Sequence, residues 1–209
     1  MRYSIVILAI GFLAQGFFSA RILVQWMLSE KARKVLSPSI FWVLSIFGSY
    51  LLCVYGWLRD DFSIVLGQFL SYYIYLWNLR LKGVWGKLPR IVKAMLLLTP
   101  VVAICLVAGN AESVYDRFMH NDAVPLPLLL WGSAGQVLFT MRFIYQWVYS
   151  YRLKESSLPI GFWVISLAGS LSIVSYGLMR GDLVLIVGQS FGVVAYVRNL
   201  MLIHSLKGL

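Results

Sequence analysis

The chain has 209 residues, 60% of them hydrophobic and 12% charged, with a net charge of +10 and a mean hydropathy of +0.80. A soluble domain carries about 25% charged residues, so this composition excludes one and points to a polytopic membrane protein. The positive charge does not point to nucleic acid, because the basic residues fall in short loops between apolar runs, where they set topology and meet anionic headgroups.

The first residues combine Arg2, an apolar run and a small-residue end, which is the outline of a signal peptide. Residues from 11 onward recur inside the chain, so this stretch is expected to be retained as the first span. With about 20 residues needed per crossing, hydropathy places seven spans, at 4–28, 39–58, 62–81, 91–108, 127–149, 160–179 and 183–203. The first of them is apolar enough to cross a bilayer yet carries Gln15, Arg21 and Gln25. Polar and ionisable groups at membrane depth mark functional sites by default.

The same pattern returns in the fifth span. Gly11, Gln15, Phe18, Arg21, Gln25, Trp26 and Ser29 recur as Gly132, Gln136, Phe139, Arg142, Gln146, Trp147 and Ser150, every pair 121 residues apart. On a helix these positions fall within an arc of roughly 140°. The register continues without a gap from 11–81 to 132–202, with about a third of positions identical. Pro38, Phe41, Trp42, Ser45, Gly48, Ser49, Tyr55, Gly56, Arg59 and Asp61 all have counterparts, as do Gly67, Gln68, Tyr75, Asn78 and Leu79. The chain is a duplicated three-helix unit.

After three crossings a chain is on the wrong side to begin a second unit in the same orientation. The unrepeated fourth span supplies the extra crossing. The expected fold is therefore all-α and integral to the membrane: seven transmembrane helices as 3+1+3, two parallel repeats about an axis along the membrane normal. Residues 1–82 form the first repeat, 83–126 the linker with the fourth span and an outer loop, and 127–209 the second repeat. Eleven Lys and Arg lie on one side (Lys31, Arg33, Lys34, Arg80, Lys82, Lys87, Arg90, Lys93, Arg152, Lys154, Lys207), against Arg2, Arg59, Arg117 and Arg180 on the other. The excess predicts a cytoplasmic C-terminus and an N-terminus outside.

Candidate binding residues follow from the shared faces. Arg21 and Arg142 could snorkel toward the cytoplasmic headgroups, or face a wet or anion-filled interior. Their equivalence in the two halves, and the glutamines Gln15, Gln25, Gln136 and Gln146 on the same faces, favour the interior. The third helix of each unit adds Gln68, Tyr75 and Asn78, repeated as Gln189, Tyr196 and Asn199. Gln68 and Gln189 suit interhelical ties and cavity walls equally; Asn78, Asn199 and the adjacent Arg198 fit the cavity. The middle helix reads as scaffold: Gly48-Ser49 and Gly169-Ser170 allow close approach, while Trp42, Trp163, Tyr55 and Tyr176 suit aromatic belts at the span ends. Arg59 with Asp61, and Arg180 with Asp182, read as surface salt bridges at the outer turns.

Other chemistry lacks its residues. All eight carboxylates, Glu30, Asp60, Asp61, Glu112, Asp116, Asp122, Glu155 and Asp182, fall in loops or at span edges, which leaves no buried acid for a proton relay or sodium site. Cys53 and Cys105 read as small packed groups, and His120 and His204 are isolated, so neither a metal site nor a cofactor is expected. No catalytic triad, P-loop or nucleotide-binding glycine pattern occurs.

The segment GQSFGVVAYVRNLMLI at 188–203, with RFIYQW at 142–147 and the pattern P-x-x-FW-x-x-S-x-x-GS, resembles the lipid A biosynthesis N-terminal (LAB-N) family. The resemblance covers 11–82 and 132–203. It implies three-helix units like those of SWEET and PQ-loop transporters, although Ala14-Gln15 and Gly135-Gln136 stand where PQ-loop proteins have Pro-Gln, and Trp77 stands where the motif has Arg198. It also implies a role with lipid A or envelope glycolipids, without the glycosyltransferase domain that makes the disaccharide.

These readings lead to a non-enzymatic carrier or flippase of the bacterial inner membrane. Its expected partner is an anionic lipid-linked sugar or phosphoglycolipid, such as an undecaprenyl phosphate glycan, whose chain would leave between the two repeats. Two alternatives stay open. One is a membrane subunit that recruits a glycosyltransferase through its basic cytoplasmic loops, and the other is a SWEET-like facilitator of free sugars.

Overall fold

The structure, a computed structural model, describes residues 5–109, 111–119 and 124–207; Arg2, His120 and Asp122 lie outside them. The described residues form nine helices and no strand. The first repeat contains α1 (Ile5–Ala32), α2 (Ser39–Leu58) and α3 (Phe62–Leu81). A short α4 (Val84–Lys87), then α5 (Arg90–Ala108) and α6 (Ala111–Met119) make the linker. The second repeat contains α7 (Leu126–Leu153), α8 (Ile160–Arg180) and α9 (Leu183–Lys207). Of these, α1, α2, α8 and α9 are long and apolar enough to cross a membrane.

Local signals set the boundaries. Pro38 and Pro159 occupy the N-cap positions of α2 and α8 in extended conformation, where a residue without an N–H costs nothing. Asp61 caps α3 by accepting from Ile64 N, and Asp182 caps α9 by accepting from Val184 N and Leu185 N. Gly181, at φ +64°, ends α8 in the left-handed conformation that suits glycine.

Within each repeat the middle helix packs on both neighbours, and between repeats α1 packs on α9 and α3 on α7. The six long helices thus close a ring with approximate two-fold symmetry. Close approach within a repeat depends on small residues: a methyl group on Gly48 would strike the Phe18 ring, and one on Gly169 would strike the Phe139 backbone. Each seam between repeats is plugged at one level: Gln15 sits where Gly188 lacks a side chain, and Gln136 where Gly67 does.

Two aromatic-rich clusters fill the ring. Trp42, Trp163, Phe41, Phe143 and Phe162 build the one nearer the C-terminal end of α1, and Tyr55, Tyr176, Ile64 and Leu185 the other. The aromatic-belt reading of the two tryptophans and two tyrosines is therefore corrected, since all four are 0% exposed. Their helix face is turned to the other repeat, a direction that span position alone does not give. The outer surface is apolar instead, with Phe47, Leu130, Leu178 and Val194 all more than half exposed. Cys105 is exposed on α5 and Cys53 partly buried.

Candidate functional site: a dibasic cavity between the repeats

A cavity of about 30 Å3 lies at the centre of the ring. Arg21, Arg142, Gln15, Gln136, Gln68, Gln189, Tyr75 and Tyr196 line it, each repeat giving one arginine, two glutamines and one tyrosine. Eight of the thirteen candidate residues thus meet in one place. A water needs roughly 10–15 Å3 on this measure, so the space admits a water or two and no sugar.

The arginines do not snorkel. Their exposures are 3% and 2%, and each guanidinium is held by one hydroxyl and a set of rings. Arg21 Nη1 donates to Ser45 Oγ at 2.7 Å, with its Cζ 4.5 Å from the Phe18 centroid and 5.0 Å from that of Phe41. Arg142 Nη1 donates to Tyr196 Oη at 3.0 Å, with its Cζ 3.4 Å from the Phe139 centroid. Both lie against Phe143, at 5.7 and 4.5 Å. Nε of each arginine is buried without a partner, and so is Nε2 of Gln15.

Desolvating one cation costs several kcal/mol; a desolvated cation–π contact returns about 2 kcal/mol and a hydrogen bond from a charged donor about 1.5–3 kcal/mol. That offsets much of one charge, yet two like charges share the space and, among the described residues, no carboxylate lines it. Unpaired donors and two cations, with no carboxylate among the described lining residues, are groups with which an anion can pair.

Five candidate residues lie elsewhere. Gln25 and Asn199, which sequence analysis assigned to the cavity, bind each other: Gln25 Nε2 donates to Asn199 Oδ1 at 3.0 Å. Gln146 and Asn78 form the equivalent pair, exchanging bonds of 3.0 and 3.1 Å. Both glutamines also donate to the loop that follows their helix, at Leu36 O and Ser157 O. The pairs tie the first helix of one repeat to the third of the other at one end of the ring. Ser156 joins this lock by donating to Asn78 Oδ1 at 2.8 Å, and Trp42 Nε1 donates to Ser37 Oγ at 3.1 Å. Arg198 is corrected outright: its Nε donates to Glu30 at 2.7 Å with 45% of its side chain exposed, because the neighbour of Asn199 on a helix turns about 100° away.

The other end is closed by charge. Arg59 pairs with Asp182 at 3.3 Å and Arg180 with Asp61 at 3.4 Å. The partners cross between repeats and the carboxylates are 0% exposed, which corrects both the within-repeat pairing and the surface location. Tyr55 donates to Asp182 at 2.9 Å, and Tyr176 donates to Asp61 at 2.5 Å. Burial pushes the Asp61 carboxyl above its ordinary range, against the hydrogen bond from Tyr176 and the charge of Arg180, which lower it. Buried acids therefore exist in this chain, although they sit in the turns that the sequence indicated. The overlooked signal was the repeat itself: Tyr, Arg and Asp recurring together on a two-fold can pair across the axis as readily as within a unit.

Residues 10–80 and 131–201 each match the family described as Lipid A Biosynthesis N-terminal domain. A protein named lipid-A-disaccharide synthase from Chlamydia pneumoniae is 30% identical over 200 residues, which cover 94% of this chain and 33% of that protein. Its namesake from Chlamydia felis is 29% identical over 209 residues, 96% of this chain and 33% of the relative. That from Chlamydia trachomatis serovar D is 28% identical over 201 residues, 91% of this chain and 33% of the relative. The chain spans about a third of the length of these curated relatives. No solved structure is significantly similar to it.

Proposed function

The chain belongs to the Lipid A Biosynthesis N-terminal domain family, in duplicated form, and from that premise we propose that it is a carrier of the bacterial inner membrane for an anionic lipid-linked sugar. The substrate class is a polyprenyl phosphate glycan, such as one on undecaprenyl phosphate, used in lipid A or envelope glycolipid modification. The observation that carries the proposal is the pair of buried guanidiniums, one from each repeat, in a cavity with no carboxylate among its described lining residues. Planar guanidinium forks suit phosphate oxygens.

In this reading α3, α5 and α7 cross the membrane beside the four most apolar helices, completing 3+1+3. The amide lock faces the cytoplasm with the C-terminus, and the crossed ion pairs face the periplasm with the N-terminus. Both ends are closed around a cavity too small for a sugar, so passage requires the repeats to part, as they do in alternating access between parallel repeats. The chain does no chemistry on its substrate, and movement is downhill. In liposomes, a fluorescently labelled undecaprenyl phosphate sugar should equilibrate across the bilayer with wild-type protein and not with Arg21→Gln/Arg142→Gln; full transfer by the double variant would sink the proposal.

A second reading has its own support: the relatives that this chain matches are named lipid-A-disaccharide synthases, and they extend beyond the matched third. Here it is a non-catalytic subunit that orients a lipid A pathway glycosyltransferase through its basic loops. Neutralising Lys87, Arg90 and Lys93 should then abolish co-purification of that enzyme, while liposomes carrying this protein alone should show no transfer.

A further inference from the structure

The two repeats differ in how the third-helix glutamine is held. In the second repeat Ser170 Oγ donates to Gln189 Oε1 at 2.9 Å. The equivalent Ser49 and Gln68 make no such bond among the described residues. Gln68 instead forms a wall common to two hollows. One is the dibasic cavity; the other is a groove of about 200 Å3 between α2, α3 and α5.

The groove is built for hydrocarbon. Cys53, Val54, Phe69, Pro100 and Ala103 contribute to a lining whose accessible part is apolar. An apolar cavity of about 150 Å3 accepts a benzene-sized molecule, so this space accepts a stretch of lipid chain. The flanking α5 turns Met95, Leu98 and Val102 outward, each more than half exposed. Its ties to the ring include two tyrosine hydroxyls, Tyr72 donating to Leu96 O at 2.9 Å and Tyr73 to Leu97 O at 3.3 Å. Tyr50 and Tyr72 share a hydrogen bond of 2.7 Å beside the groove, whereas Leu171 and Val193 stand at the equivalent places of the second repeat, which has no counterpart of α5. Meanwhile Gln15 on Gly188 and Gln136 on Gly67 plug the seams between repeats beside the cavity.

We propose that the groove under α5 is a lateral port to the dibasic cavity: it holds the hydrocarbon chain of the lipid whose phosphate lies at Arg21 and Arg142, with Gln68 as the movable partition. The port rests on the carrier reading and adds an asymmetry to it, since substrate enters through the first repeat only.

Photolabelling tests it on the intact protein. Undecaprenyl phosphate bearing a diazirine near its phosphate is added to wild-type protein in nanodiscs, irradiated, and the adducts mapped by mass spectrometry. Adducts are expected at Cys53, Phe69 and Ala103 and not at the second-repeat equivalents Val174 and Ser190. Ala103→Trp, on the peripheral helix, should lower the groove adducts at least ~fivefold while inorganic phosphate still binds the cavity. Adducts on the second repeat, or spread evenly over the lipid-facing surface and lost in Arg21→Gln/Arg142→Gln, would overturn the port and leave the anion site standing. Groove adducts that persist unchanged in the double arginine variant would overturn both the port and the carrier reading it rests on.

Discussion

An arginine in a dry interior needs either a counter-ion or a reason to go without one. Arg142 has one hydroxyl, several rings and a second arginine nearby. Replacing buried charge by apolar side chains is often neutral or stabilising, by about 1–4 kcal/mol. Arg142→Met should therefore leave the delipidated protein as stable as wild type or more so in thermal unfolding, while anion binding is lost. A large loss of stability would assign the residue to the scaffold. Gln25→Leu should do the opposite, because it strands the buried Asn199 Oδ1 at a cost of about 1–3 kcal/mol; Gln146→Leu should cost less, because Asn78 Oδ1 still accepts from Ser156. The recurrence of arginine and glutamine on one face was legible in the sequence, and it identified the cavity lining. It could not separate Gln15 from Gln25, because helical periodicity fixes a direction and not the depth at which a partner waits. Ser37 and Ser156 were illegible for another reason: neither has a counterpart in the other repeat, where Leu158 and Val35 stand.

Between helices, contact depends on what a small residue faces. A methyl group at Gly169 would meet the backbone of Phe139 at 2.6 Å, whereas one at Gly48 would meet only the Phe18 ring at 2.8 Å. A ring can rotate and a helix backbone cannot, so Gly169→Ala should cost more stability than Gly48→Ala, by about 1–3 kcal/mol. It should also weaken anion binding, since Phe139 lies under Arg142; equal melting temperatures for the two variants would contradict this packing. At the crossed ion pairs, Asp182→Asn keeps the cap on α9 and removes only the charge. Breaking one partner of a buried pair costs roughly 3–5 kcal/mol, and a double-mutant cycle should find Asp182 coupled to Arg59. Adjacent Arg and Asp in a turn suggest a local pair, and only the ring closure brings the other repeat's carboxylate nearer.

At the scale of the molecule, seven apolar runs and a 121-residue repeat made the three-helix units legible, because hydropathy and duplication are properties of the sequence itself. How the units close on each other depends on side-chain shape, such as Gln136 over Gly67, and was not. The proposed topology is open to direct test. In a background with Cys53 and Cys105 replaced by alanine, a cysteine at Glu112 should react with an impermeant maleimide on cells whose outer membrane has been opened, and one at Lys154 should not. If the paired arginines hold a lipid phosphate, native mass spectrometry of gently purified protein should find a co-purifying polyprenyl phosphate or phosphoglycolipid that disappears in Arg21→Gln/Arg142→Gln. Retention of only bulk phospholipid, equally by wild type and variant, would contradict it.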